Sequence, residues 1–517
     1  MSSPARPRLL IEDWLPANAI GVECMRERAT GQQPPDKRLH VWWARRPLTV
    51  SRAAVLGSLL PADFDRATFE RLLGFYGSGE QIVANDLLLA LARDAGGRRI
   101  ANPQGPRAFS AYVEPRDFEA ARRATAELWG DQVTIIDPMA GGGSIPLEAA
   151  RCGVNVIANE YNPVACSILE ATVDYPFRFG PELAEKARHW GKIWRERFVE
   201  RMERFYEVDG IVPAYTYLFA RTVPCPDTGH PTPLVPDWHL LKPKSGVPLA
   251  AEPVPASAVG RMCRCAGAQG STAVSPAHQP TCPYAGNGLW TIRVREVGKG
   301  AGQLRQPPAP TYGRGNATSL FTGTPIPGDY IKAMAQGTPG VPQGKLGSQL
   351  YVIATKATTK LNFRAPEQTD LEALAAAETE LQRLRPGWER GNVIPTEGIP
   401  EGEKTKEPLR VGHTTWASLF FPRQLLALGV LVEELRELRE EIVETEGEEV
   451  GEAVGHLLAV VLDKSANHCS YLASWHAPRQ VMRSVFDRHD FSFKPTHAEM
   501  APCVAGGGLA WAIANVL

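Results

Sequence analysis

Hydrophobic and polar positions along this chain follow two periods, and the period changes mark its regions. Apolar residues at helical spacing predict helices over Ala17–Arg28, Phe64–Phe75, Gln81–Arg93 and Phe118–Trp129. A later helical group is predicted at the strongly charged Pro181–Glu207, at Asp370–Arg385, and at Glu449–Lys464. Between the last two, Leu425, Leu428, Leu431, Leu435 and Leu438 form one stripe on a predicted helix Gln424–Thr445. Short β-branched runs predict strands at Val133–Ile136 and Val154–Asn159. The Pro-, Gly- and Thr-rich stretch 208–365 adds strands at Trp290–Val294 and Gln349–Ala354. These elements predict an α/β protein in four regions: a helical N-terminal region (1–130), a strand–helix–strand core holding part of a sheet (131–207), a large irregular α+β insert (208–365) and a second helical region (366–517).

Composition narrows the class only slightly. The chain has 517 residues, enough for two to four domains, with 44% hydrophobic and 22% charged residues, as in ordinary globular proteins. Its net charge of −1 gives no global field for nucleic acid, so a DNA-binding face would need local clusters of Arg and Lys. Nothing reads as a signal peptide or a membrane span. Nine cysteines then point to reduced thiols or metal ligands, and the expected location is the cytoplasm.

The chemistry concentrates after the first core strand, in Asp137-Pro138-Met139-Ala140-Gly141-Gly142-Gly143-Ser144. The glycines allow positive φ and close approach to a ligand, and Ser144 is the expected N-cap of the next helix, whose early turns hold Glu148. The second strand ends in Glu160, placed to accept hydrogen bonds from ribose hydroxyls. An acid ahead of the glycines would repel a pyrophosphate. It suits a cationic nucleoside such as S-adenosylmethionine, which carries a sulfonium and an ammonium. Tyr161 can stack on adenine or pack in the core, and a strand–turn–helix without any ligand is the alternative for the whole unit.

This stretch resembles the cofactor motif of amino-group DNA methyltransferases, D-P-F-A-G-S/G-G, which implies a Rossmann-like, S-adenosylmethionine-dependent methyltransferase core. Upstream, His40-Val41-Trp42-Trp43-Ala44-Arg45-Arg46-Pro47-Leu48 resembles the N-terminal hallmark of a large family of adenine-specific DNA methylases with a zinc-ribbon insert. Adjacent tryptophans cannot both face one core, so one is expected to pack and the other to line a cleft. The arginines suit a phosphate or carboxylate. The resemblance implies that this segment, through Trp43 and Arg45, completes the methionine end of the cofactor pocket, with Arg46 toward DNA.

The same family implies a zinc ribbon in the insert. Such ribbons use two C-P-x-C-G knuckles, but here Cys225-Pro226-Asp227-Thr228-Gly229 and Cys282-Pro283-Tyr284-Ala285-Gly286 each keep only the first cysteine. A ligand set of Cys225, Cys263, Cys265 and Cys282, with His230 or His278 as substitutes, and a metal-free relic both remain open. Arg264 and other basic residues of the insert are candidates for contact with double-stranded DNA. So are Arg423, Trp475, Arg479, Arg483 and Arg488, in a polar and aromatic stretch that reads either as a DNA-facing cleft or as an interdomain seam.

Amino-group methyltransferases also need a D/N-P-P-Y/F/W motif, which accepts hydrogen bonds from the target amine and stacks on a flipped base. The chain's Pro-Pro pairs, Pro34-Pro35 and Pro307-Pro308, are followed by Asp36 and Ala309, and no such motif occurs through Leu517. No catalytic residue is therefore assigned. The leading expectation is a split adenine-N6 methyltransferase for DNA modification or phage defence, whose catalytic motif sits on a second subunit. The alternatives are an inactive DNA-binding or scaffold subunit, and an RNA or small-molecule methyltransferase.

Overall fold

The computed structural model describes residues 7–28, 34–42, 44–94, 101–206, 213–255, 290–337, 346–357, 360–488, 490–504 and 507–517. Trp43, Cys263, Arg264, Cys265 and Cys282 lie outside the described residues. The chain divides into two compact units: residues 1–187 with 446–460 and 515–517, and residues 188–445 with 461–514.

The first unit is helical around one small sheet. Helices α1 (Ala17–Arg28), α2 (Leu48–Leu59) and α3 (Pro115–Trp129) surround a core that includes Leu10, Ile20, Leu56, Leu60, Phe69 and Leu72. Pro115 opens α3 and Gly130, at φ +83°, ends it, which is the usual asymmetry of helix ends. Strand β1 (Thr134–Asp137) then leads through the glycine turn into α4 (Ser144–Arg151) and β2 (Asn155–Ala158). The two strands pair in parallel, with Ile136 opposite Ile157 and Asp137 opposite Ala158. One sheet face is covered: Ile135, Val133, Val154 and Val156 pack with Val55, Leu59, Ala149 and Ile145 of the flanking helices. The other face is bare, with Ile136 64% and Ile157 54% exposed. After β2 come α5 (Pro163–Leu169) and a π-helical turn, Glu170–Asp174.

The second unit is built on an antiparallel sheet. Strand β3 (Ala214–Pro224) pairs with β4 (Pro231–Pro233), β11 (Gly347–Ala357) and β15 (Thr496–Met500), and β12 (Lys360–Arg364) extends the sheet beyond β11. The insert and the C-terminal region therefore share a sheet, although the sequence patterns separate them. Strands β5 (His239–Leu241), β6 (Leu249–Pro255) and β7 (Trp290–Glu296) form a second sheet, and β8 (Tyr312–Gly313), β9 (Asn316–Thr318) and β10 (Pro325–Ile326) a third. A hairpin, β13 (Ser474–His476) with β14 (Val481–Arg483), completes the strands among the described residues. The leucine-striped helix spans Pro422–Glu446.

Two residues expected to face DNA pack within the protein instead. Arg423 is 1% exposed and makes a two-point ion pair with Glu499, Nη2 to Oε2 at 2.9 Å and Nε to Oε1 at 3.1 Å. Its guanidinium also stacks 4.1 Å from the centre of the Tyr217 ring, so the DNA role is corrected to a buried structural one. Trp475 is half-buried, packs edge-on against Phe363 and donates its indole N–H to the Leu240 carbonyl at 2.8 Å. That makes it part of the sheet layer rather than a free platform for a base. On the charged helix Glu182–Met202, Arg197 pairs with Glu441 at 2.8 Å and Arg201 with Glu434 at 2.6 Å. These cations serve helix–helix ion pairs. Arg46, Arg479, Arg483 and Arg488 are exposed, the last two pairing with Asp487 at 3.3 Å and Asp490 at 2.7 Å. Among the described residues no helix is long and apolar enough to cross a membrane.

Candidate cofactor site

The turn after β1 is held by its own backbone and by one carboxylate. The Ala140 amide donates to the Asn159 carbonyl at 3.0 Å, the Asn159 side chain returns a bond to the Pro138 carbonyl at 3.0 Å, and the Met139 amide donates to Asp137 Oδ1 at 3.2 Å. Glu160 reaches across from the end of β2. Its Oε2 accepts the Gly141 amide at 2.6 Å, and its Oε1 accepts the amides of Tyr161 at 2.8 Å and Asn162 at 3.1 Å. These amide donors, from Asn162, Gly141 and Tyr161, hold the Glu160 carboxyl below the usual carboxylate range. Two carboxylate oxygens offer about four acceptor directions, so roughly one remains for a ligand hydroxyl.

The three glycines are each required by a different neighbour. A Cβ on Gly141 would lie 2.9 Å from Trp42 Nε1, and one on Gly142 would lie 2.8 Å from Arg45 Nε. Gly143 has φ +81°, and a Cβ there would lie 2.7 Å from Leu169 Cδ2. The glycine run thus fits against protein on these sides. Of the adjacent tryptophans, Trp42 is the one described against the turn, a residue the sequence reading passed over in favour of Trp43. Its signal was the expectation that one member of the pair lines a cleft. Arg45 is nearly buried, pairs with Asp36 at 2.5 Å and donates to the His40 carbonyl at 3.2 Å. It walls the turn with its charge already matched. The open side carries Met139 at 85% and Tyr161 at 99% exposure, beside the partly exposed Asp137 and Glu160. Tyr161 is therefore a solvent-facing ring and not a core residue.

The helix that follows departs from expectation at its first turn. Gly143, in the left-handed region, is the N-cap, and Ser144 is the first helical residue, 4% exposed. Four residues on, Glu148 is fully buried between Arg52 at 2.6 Å and Arg151 at 2.7 Å, and Arg52 also donates to the Leu72 carbonyl at 3.2 Å. This ion triad bolts α4 to α2 behind the turn. From the other side, Leu169 and Val173 press on Gly143, and His456 clamps their segment: its Nε2 lies 2.6 Å from Ser167 Oγ, and its Nδ1 lies 3.0 Å from the Tyr175 hydroxyl. A cavity of about 710 Å³ runs along α4, bordered by Asp36, Arg38, Leu147, Arg151 and Thr172. Neither Asp137 nor Glu160 lines it, so it is separate from the turn.

The site offers two anionic carboxylates, Asp137 and Glu160, around an open glycine turn, and a cation beside it that Asp36 already pairs. That donor set fits a cationic nucleoside whose ribose meets Glu160, and it does not fit a pyrophosphate. Two family models match the chain. One, described as an RMKL-like methyltransferase domain, matches residues 125–205, which contain β1, the glycine turn, α4, β2 and α5. The other, described as a protein of unknown function (DUF1156), matches residues 14–72, which contain the Trp42–Arg46 segment. No curated protein and no solved structure matches the chain. The chain thus carries a methyltransferase domain, and such a domain implies S-adenosylmethionine as methyl donor.

Proposed function

We propose that this chain is the cofactor-holding subunit of a DNA adenine-N6 methyltransferase whose catalytic motif and remaining sheet come from a second polypeptide. The observation that carries the reading is the bare face of the β1–β2 pair. Parallel sheets occur almost only with both faces covered, yet Ile136 and Ile157 stand in solvent opposite each other, and β1 and β2 have no further strand beside them among the described residues. The occupant this face fits is a polypeptide that adds parallel strands, with an apolar layer over Ile136 and Ile157. A D/N-P-P-Y/F/W loop on that polypeptide, at the end of a strand beside β1, would lie next to Asp137 and the glycine turn.

In this reading Glu160 holds the ribose and the turn together, Asp137 lies near the cationic end of the donor, and Trp42 with Arg45 closes the turn against water. Bound there, S-adenosylmethionine would supply an electrophilic methyl group on its sulfonium for the adenine amine, and the amine's displaced proton would pass to an acceptor on the completing polypeptide. The H-x-W-W-A-R-R-P-L resemblance favours DNA as substrate, and the exposed Arg46, Arg479, Arg483 and Arg488 are candidates for its phosphates. Modification or defence against foreign DNA is the process this activity would serve.

The test is transfer of labelled methyl groups to duplex DNA, by the chain alone and after co-expression with polypeptides encoded beside it. Transfer that requires a companion carrying D/N-P-P-Y/F/W supports the proposal. Transfer by this chain alone overturns the split, and transfer to RNA or a small molecule in place of DNA overturns the substrate.

A further inference from the structure

The insert contains two turns that repeat each other bond for bond. In the first, the Gly229 amide donates to the Cys225 carbonyl at 2.8 Å, and the Cys225 amide donates to the His230 carbonyl at 2.8 Å. In the second, the Gly323 amide donates to the Ser319 carbonyl at 3.0 Å, and the Ser319 amide donates to the Thr324 carbonyl at 2.8 Å. Gly229 and Gly323 both take the left-handed region, at φ +70° and +74°. The Ser319 hydroxyl accepts the amides of Phe321 and Thr322, two and three residues on, each at 3.2 Å, and Cys225 holds the matching place in the first turn.

This is the geometry of a pair of zinc knuckles, in which a tight glycine-ended turn aims two ligands at one ion. Among the described residues the second knuckle is thus Ser319-Leu320-Phe321-Thr322-Gly323; the stretch at Cys282 lies outside them. The ligand positions are Cys225, Thr228, Ser319 and Thr322. Zinc is held by thiolate, imidazole or carboxylate, and three of these four positions carry neutral hydroxyls, so the residues do not fit the ion. Among the described residues no three His, Cys, Asp or Glu side chains converge as a metal-binding group.

We infer that this is a zinc ribbon that has exchanged its ion for a thiol–hydroxyl hydrogen-bond network. The bonds cross from one knuckle to the other where the ion would have joined them. The Cys225 thiol of the first knuckle and the Thr322 hydroxyl of the second form a hydrogen bond, Sγ to Oγ1 at 3.8 Å. Thr322 also donates to Asp227 at 3.3 Å, and His230 packs edge-on against Phe321, with ring centres 5.2 Å apart. Beneath the knuckles a hydrophobic cluster that includes Val223, Leu234, Ala317, Ile326, Ile331 and Met334 supplies the packing that small metal domains lack.

The test restores the ligands. The triple variant T228C/S319C/T322C is expected to bind one Co²⁺ per chain, with the absorption of a tetrahedral thiolate site, while the wild type shows no such spectrum. If the triple variant folds only when Co²⁺ is present, that supports the inference equally. A variant folded as the wild type but unable to take Co²⁺ overturns it. Independently of that variant, strong chelators are expected to leave the wild-type Tm unchanged, and Cys225→Ser to keep its fold. Zinc that co-purifies with the wild type and is released by Cys225→Ser overturns the inference, as does a triple variant that fails to fold with or without Co²⁺ while chelation lowers the wild-type Tm.

Discussion

The Glu160 carboxylate accepts the Gly141 amide at 2.6 Å, so the acid at the end of the second strand fixes the backbone of the turn after the first. In the proposed function this single side chain couples ligand binding to turn geometry. Glu160→Gln keeps one acceptor oxygen and points an NH₂ at backbone donors. The variant is expected to lose S-adenosylmethionine binding while the chain still folds. Calorimetric titration of the chain, alone and in its complex, reads this. Unchanged affinity in Glu160→Gln would remove the carboxylate from the site.

Ile136 and Ile157 separate folding from assembly. Both are exposed, so Ile136→Lys and Ile157→Lys should each change folding stability by no more than about 0.5 kcal/mol. If the proposed second polypeptide covers this face, the same variants should abolish methyl transfer by the complex, because a buried interface cannot take an unpaired ammonium. Denaturation midpoints paired with the transfer assay make the check. Full activity in the double variant would show that this face is not the one the second polypeptide covers.

Arg52→Ala leaves Glu148 buried with Arg151 as its remaining partner, on the rim. Breaking a buried pair from one side costs roughly 3–5 kcal/mol, and the urea midpoint should fall accordingly. Replacing both members by leucine should recover much of the loss, since an apolar pair of that size has no charge to strand.

Arg423 allows a direct contrast between a structural arginine and one proposed to face DNA. Arg423→Ala strands Glu499 in the core and is expected to destabilise its unit by about 3–5 kcal/mol. Arg479→Ala, at an exposed position, should leave stability within about 0.5 kcal/mol and weaken duplex binding with a shallower salt dependence. Fluorescence anisotropy across a salt series distinguishes the two.

Acid sensitivity should centre on the buried imidazoles of His413 and His497. Burial, and the Arg221 guanidinium nearby, push the His413 imidazole down from 6.5 to about 4. His497 moves in the same direction through burial, Arg221 and His413, and Tyr471 packs against all three. An imidazole depressed in the folded state is neutral there and binds its proton more readily when unfolded. Its full contribution to stability is therefore present above pH 6.5 and is lost as pH falls toward 4. The His413 share is roughly 3 kcal/mol over that window. His413→Gln should flatten the dependence of Tm on pH between those values, with the remaining slope coming from His497.

Local pattern carried much of the architecture. The predicted helix Ala17–Arg28 has those bounds in the structure, and the leucine stripe extends only to Pro422–Glu446. The glycine turn and its second acid were legible because each lies at the end of a recognisable strand. What local pattern could not carry was pairing across long separations. Arg52 and Glu148 are 96 residues apart, and nothing around either announces a buried partner. Arg423 read as a DNA ligand because an arginine among aromatics looks alike in a cleft and in a core until Glu499 is placed beside it. The second knuckle had a signal, the repeated x-x-Thr-Gly of Cys225–Gly229 and Ser319–Gly323, but a search keyed to cysteine passes over serine.

The uncovered sheet face has a consequence for how much of this protein a cell can hold. A chain that exposes two isoleucines on a sheet with no further strand beside it among the described residues is a template for its own kind. Surplus copies would pair with each other or be degraded. If a second polypeptide covers this face as proposed, the two must be produced in step, and overproduction of this one alone should yield aggregate in proportion to the imbalance.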